Sequence, residues 1–203
     1  MLHQTESKVS KNLRYLKRKH EVNEHYKVPI IANLIGSGLF LGHIPFASGT
    51  IGSLLALGIF LIPGVSEYFP LSIMIVAFFV IGILFSEMMR KRYGEDPPQV
   101  IIDEIVGQWL TYLIALTIFD LFFRAKSFNP EFTLSTKIAF GAIGFFLFRF
   151  FDIIKLQPAK YFDEQDSGFG IMIDDIAAAV YAGILTAPLT HFLWYKLLVK
   201  FFG

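Results

Sequence analysis

Cysteine is absent from the 203 residues. That removes disulfide frameworks, thiolate metal sites and thiol nucleophiles together. Charge is also scarce. Charged residues make up 17% of the chain, against about 25% in an average soluble domain. The net charge of +1 gives no bulk attraction to nucleic acid, so none is expected as a partner. Apolar residues fill the space instead: 54% of the chain is hydrophobic, 23 residues are Phe, and the mean hydropathy is +0.55. They fall in long runs rather than in an amphipathic period. The expected class is all-α, a polytopic membrane helix bundle in a single domain.

A span needs about 20 mostly apolar residues. Residues 70–89, 105–123, 134–151 and 176–199 come close, the last with Pro188 as a kink. Residues 51–65 are shorter and cross only with help from the Gly-rich segment before them. About five spans are expected, with four plus a re-entrant segment as the alternative. Residues 1–28 read as a basic tail, centred on KVSKNLRYLKRKH at 8–20, and residues 29–203 as one membrane-embedded domain. The tail lacks a signal peptide's apolar core and cleavage site. It reads as disordered, as attracted to anionic lipid, or as both. Lys and Arg in short loops orient the spans. They place the tail, Arg90-Lys91-Arg92, Arg149, Lys155 and Lys160 in the cytoplasm, while Arg124, Lys126 and Lys137 fall outside, against the trend.

On this scheme three polar clusters, at 36–53, 96–108 and 149–175, share the cytoplasmic face. Charge at membrane depth is costly and marks function by default. The first cluster, GSGLFLGHIPFASGTIGS, offers small residues and a helix start near Thr50. Such a terminus cradles phosphate, or simply packs closely on a neighbour. His43 reads as a local hydrogen-bonding residue. In the second, Pro97-Pro98 bar a helix before about Val100 and leave Asp103 and Glu104 in a first turn. The helix dipole favours acids there, yet the flanking Ile and Val residues force at least one acid into protein or a wet interior.

The third cluster spaces Arg149, Asp152 and Lys155 at i, i+3 and i+6, roughly one helix face. A Gly168/Gly170 loop and the adjacent Asp174-Asp175 follow. Carboxylates with this hard-oxygen character suit Mg²⁺, and Arg and Lys suit phosphate oxygens. The competing reading is a helix cap with an intramembrane ion-pair network. Phosphoryl transfer is the chemistry such groups serve, by water attack with a carboxylate base or through an aspartyl-phosphate.

Four segments, SGTIGSL (48–54), DEIVGQW (103–109), FRFFDIIK (148–155) and GIMIDDIAA (170–178), together resemble the phosphatidylglycerophosphatase A family, in the family's order and over roughly residues 30–190. The resemblance implies a Mg²⁺-dependent phosphatase. It would convert phosphatidylglycerophosphate, a phospholipid in the membrane, to phosphatidylglycerol, in the bacterial cytoplasmic membrane with its site facing the cytoplasm. It also implies site roles. Asp103, Glu104, Asp152 and Asp175 would be catalytic. Asp103, Glu104, Asp152, Asp174 and Asp175 would be metal ligands. Gly49, Thr50, Ser53, Arg149 and Lys155 would bind phosphate, with Gly52 also in the small-residue loop. Three positions depart from the family pattern: Ser48 replaces a Pro, Leu156-Gln157-Pro158 keeps only the second Pro of Pro-x-Pro, and Gly168-Phe169-Gly170 replaces paired glycines. All the charged positions are kept.

Other classes fit less well. A CDP-alcohol phosphotransferase needs DGxxAR, a type 2 phosphatidic-acid phosphatase needs a PSGH-type motif and a later His, and an intramembrane aspartyl protease needs Gly-x-Gly-Asp; none is present. A small ion-coupled transporter would carry acids near mid-membrane and internal repeats. A phosphatase acting on another lipid phosphate is the remaining alternative.

Overall fold

The computed structural model describes residues 22–124, 134–159, 161 and 165–193. The basic segment at 8–20 and Lys126 and Lys160 lie outside them, as does the end of the last expected span. Among the described residues the regular structure is helical. Helix α1 is Ile30–Gly36, α2 Ser48–Phe60, α3 Tyr68–Tyr93, α4 Ile102–Phe119, α5 Leu134–Ile154 and α6 Gly168–Leu193. A 3₁₀ turn at Leu41–His43 precedes α2, and a π turn at Asp120–Arg124 extends α4.

Among the described residues three helices are long and apolar enough to cross a membrane: Tyr68–Tyr93, Ile102–Phe122 and Gly168–Leu193. Helix α5 has 21 residues, about 30 Å at 1.5 Å per residue, but carries Lys137, Arg149 and Asp152. The apolar α2 has 13 residues, about 20 Å by the same rise. This is roughly the expected segment count, and the short α2 also suits the re-entrant alternative.

Helix α4 is the hub, packing on α2, α3, α5 and α6. Two buried polar groups fix its neighbours: Trp109 Nε1 donates to Ala56 O of α2 (3.0 Å), and Tyr112 Oη to Gly141 O of α5 (3.0 Å). Its largest partner is α6, whose buried face is built from Ala178, Ala179, Ala182, Gly183 and Ala187. Lipid tails are as apolar as side chains, so membrane helices associate through close packing of small residues. Gly183 shows the fit: a Cβ there would stand 2.7 Å from Ile114 Cβ and 3.1 Å from Thr111 O.

Helices α2 to α6 alternate in direction, so α2, α4 and α6 start at the end of the bundle where α3 and α5 finish. At the opposite end Tyr68 Oη donates to Asp120 Oδ2 (2.8 Å) and Lys137 Nζ to Ser66 Oγ (2.8 Å).

Helix α6 differs from expectation at its start. The sequence suggests a glycine loop with a span from 176, whereas the helix begins at Gly168. The reason is local. Ser167 Oγ accepts the Gly170 N–H (2.9 Å), and Glu87 Oε2 on α3 accepts the Gly168 N–H (2.9 Å). Capping of this kind satisfies the orphan donors of a helix start. A Cβ on Gly168 would press on Glu87 N at 2.7 Å, so its glycine serves close approach. Asp174 and Asp175 thus sit in the helix's second turn.

Replacing Gly183 with Leu overpacks the α4–α6 contact and is expected to cost about 1–3 kcal/mol. The measurement is thermal unfolding in detergent; an unchanged transition would show that the two helices do not need this approach.

Candidate active site

The three polar clusters meet where α2, α4, α5 and α6 come together. Helix α4 brings Asp103 and Glu104 in its first turn. Helix α5 brings Arg149 and Asp152 near its end, with Lys155 just beyond. Helix α6 brings Asp174 and Asp175. One carboxylate oxygen from each of Glu104, Asp152 and Asp175 lies within 4.8 Å of the other two.

Arg149 ties these acids together. Its Nη1 forms a close ion pair with Glu104 Oε2 and lies 3.0 Å from Asp152 Oδ2. The three side chains are only 12–16% exposed, so the charges are largely withdrawn from water and depend on one another. Arg149 Nε is buried with no hydrogen-bond partner among the described residues. A second pair, Lys155 Nζ to Asp174 Oδ2 at 3.0 Å, lies beside the first. Asp103 Oδ1 accepts the Glu104 N–H, and Asp174 Oδ1 the Asp175 N–H, each at 2.9 Å.

These groups enclose a cavity of about 80 Å³ lined by Asp103, Glu104, Asp152, Lys155, Asp174 and Asp175. Glu95, Asp96, Gln165, Asp166 and the apolar Ile171 complete its wall. Asp96, Gln165 and Asp166 fall within the polar clusters at 96–108 and 149–175 and Glu95 just outside them, in the α3–α4 connection and before α6, and no spacing rule singles any of them out.

The small-residue loop divides. Gly49 reaches the site: a Cβ there would fall on Glu104 Oε1 and stand 2.8 and 2.9 Å from the Arg149 terminal nitrogens. Only a bare backbone leaves room for this ion pair. Gly52 packs on Ile101 and on the Glu104 Cβ. Thr50 and Ser53 do not line the cavity, and Ser53 is fully buried one turn further along α2. His43 lies apart, its Nε2 2.8 Å from Asn33 Oδ1.

The donor set is all oxygen from carboxylates, which suits a hard divalent cation. Five acids (Asp103, Glu104, Asp152, Asp174, Asp175) face two bases (Arg149, Lys155). Glu95, Asp96 and Asp166 on the wall raise the carboxylates to eight, so with all of them ionised the site is strongly negative, and a phosphate would be repelled unless cations offset the charge.

A family model described as Phosphatidylglycerophosphatase A matches residues 34–190. The chain is similar to three bacterial proteins. One from Bacteroides thetaiotaomicron, named "Putative phosphatidylinositol-3-phosphatase", is 35% identical over 76% of this chain and 90% of its own length. Proteins named phosphatidylglycerophosphatase A follow from Haemophilus influenzae (32% identical; 79% and 90% covered) and Escherichia coli (31%; 75% and 80%). No solved structure matches.

Removing one partner of a buried ion pair strands the others. Arg149→Met is therefore expected to lower stability by on the order of 3–5 kcal/mol, read as a lower unfolding temperature in detergent. A variant as stable as the parent would show that Glu104 and Asp152 do not rely on the guanidinium.

Proposed function

The chain belongs to the phosphatidylglycerophosphatase A family, and from that premise we propose that it removes the terminal phosphate of phosphatidylglycerophosphate at the acidic cavity, with Mg²⁺ as cofactor. The observation that carries this reading is the Glu104–Asp152–Asp175 oxygen triad held against Arg149.

The residues fit the metal. Glu104, Asp152 and Asp175 would hold it, with Asp103 and Asp174 flanking, and its charge offsets the acidic excess that otherwise excludes phosphate. Held by these carboxylates, Mg²⁺ would supply Lewis-acid chemistry, polarising a phosphoryl oxygen and lowering the pKa of a bound water.

The chain's own side chains supply the rest. Lys155 on the cavity wall binds phosphate oxygens, and Arg149, which does not itself line the cavity but pairs with Glu104 and Asp152 on its wall, offsets charge in the transition state. Asp103 lines the cavity outside the triad and is placed to take a proton from the attacking water. Water oxygen then bonds to phosphorus, the lipid alkoxide leaves with a proton, and inorganic phosphate is released. Gly49 contributes the space in which Glu104 and Arg149 meet.

The protein is a membrane protein by its three long apolar helices. We place it in a bacterial cytoplasmic membrane with the cavity toward the cytoplasm, on the Lys/Arg distribution and the bacterial sources of its relatives. A second substrate reading, phosphatidylinositol 3-phosphate, is favoured by the name of the Bacteroides relative.

Purified protein is expected to release phosphate from phosphatidylglycerophosphate with Mg²⁺, and to stop on adding a chelator. No release under either condition sinks the reading; faster release from phosphatidylinositol 3-phosphate replaces the substrate. Asp175→Asn is expected to cut turnover by about 100-fold or more while the unfolding temperature stays near that of the parent. An active Asp175→Asn removes this carboxylate from the site.

A further inference from the structure

The acidic cavity accounts for the phosphate end of a phospholipid and for none of its chains. On the far side of α4's first turns lies a second cavity, of about 220 Å³. Its wall is apolar. Leu34 and Ile35 come from α1, Leu55 and Ile59 from α2, and Phe78 from α3. Ile105 and Trp109 come from α4, with Leu39 and Gly38 at one end.

Its position relative to the acids is fixed by close contacts. Glu104 and Ile105 are consecutive on α4, about 100° apart around the helix; the first lines the acidic cavity and the second the groove. Ile101 stands between the two, fully buried. A Cβ on Gly38 would lie 2.8 Å from Ile101 Cδ1, and one on Gly52 3.0 Å from Ile101 Cβ and 3.1 Å from Glu104 Cβ. The groove therefore begins one residue from Glu104 on α4. From there it follows Leu55 to Ile59 and Ile105 to Trp109, four residues on each helix, or about 6 Å further along the spans. An acyl chain takes this same course away from its head group.

Leu39 on its wall is exposed, as are Ile31 and Phe40 close by in sequence and Leu54 next to Leu55, an apolar surface that suits lipid contact. Gly38, Leu39 and Phe40 have φ of +53°, +61° and +66°. For Leu and Phe this conformation persists only where the surroundings hold it, so the turn that closes one end of the groove is built rather than incidental.

We infer that this groove seats one acyl chain of the same phospholipid whose phosphate enters the acidic cavity. The inference rests on the phosphatase reading above. The enzyme then grips its substrate from both sides of α4, and the groove selects chain length independently of the phosphate chemistry.

The test fills the groove without touching the acids. Ile59→Trp blocks its inner end, and Leu55→Phe narrows its middle should the larger change unfold the protein. Each full-length variant is assayed in detergent with dihexadecanoyl and with dihexanoyl phosphatidylglycerophosphate. The expected result is a fall of about tenfold in kcat/KM for the long-chain substrate, with the short-chain value within about twofold of the parent. Parent-like rates on both substrates, or equal losses on both, overturn the chain site and leave a bystander bilayer lipid as the occupant. A parent that releases phosphate from neither substrate overturns the phosphatase reading, and the groove with it.

Discussion

Arg149 is the constraint around which the polar end of the bundle is arranged. Its guanidinium joins Glu104 of α4 to Asp152 of its own helix. Two carboxylates this close and this little exposed repel each other, and neither is well solvated. The cation between them makes their approach tolerable. Gly49 then becomes necessary on steric grounds, because any side chain there would occupy the space of the pair. One interaction thus ties together three helices that are distant in sequence. The close α4–α6 packing, with small residues on α6, adds the fourth by carrying Asp174 and Asp175 to the same place.

The arrangement is stable but not neutral. Arg149 and Lys155 offset two of the eight carboxylates around the cavity, and a divalent cation would lower the remaining charge. A site made only for stability would match its charges or replace them with apolar residues, which is often the better solution energetically. The surplus of acid over base is therefore a functional signature, as perturbed and costly groups at a cleft commonly are. It also explains why the acids stand at helix ends: a phosphate head group remains in the aqueous phase, and a carboxylate cage deeper in the spans would not meet it.

Much of this was legible in the sequence because the signals were strong. Runs of apolar residues near 20 long have few readings other than spans, and the charged motifs interrupt them in only three places. Their convergence followed from alternating helix direction. Less was legible where several weak local choices compete. Gly168 and Gly170 read as loop, since glycine is a poor helix former. The helix starts there because Ser167 caps it and Glu87, 81 residues away from Gly168, accepts its first N–H; a contact across that separation leaves no local pattern. The same limit applies to Glu95, Asp96, Gln165 and Asp166, which reach the cavity only through the path of connecting segments. Ser53 shows the converse. Its spacing fitted a phosphate loop, but one helical turn carries it from the cavity edge into the fully buried interior.

Helix α4 separates two environments within a single turn. Glu104 faces charge and Ile105 faces a wholly apolar groove. No amphipathic pattern of the usual kind predicts this, because both faces are buried against protein and neither looks onto bulk solvent. The division has a physical use. A phospholipid is itself two materials joined at a head group, and a protein acting on its phosphate must hold a dianion beside cations while leaving hydrocarbon among hydrocarbon. Placing the boundary inside one helix, with Ile101 packed between Gly38 and Gly52, sets the apolar groove and the acids side by side. The geometry of that boundary ties the chemistry of the head group to the depth at which the chains must lie.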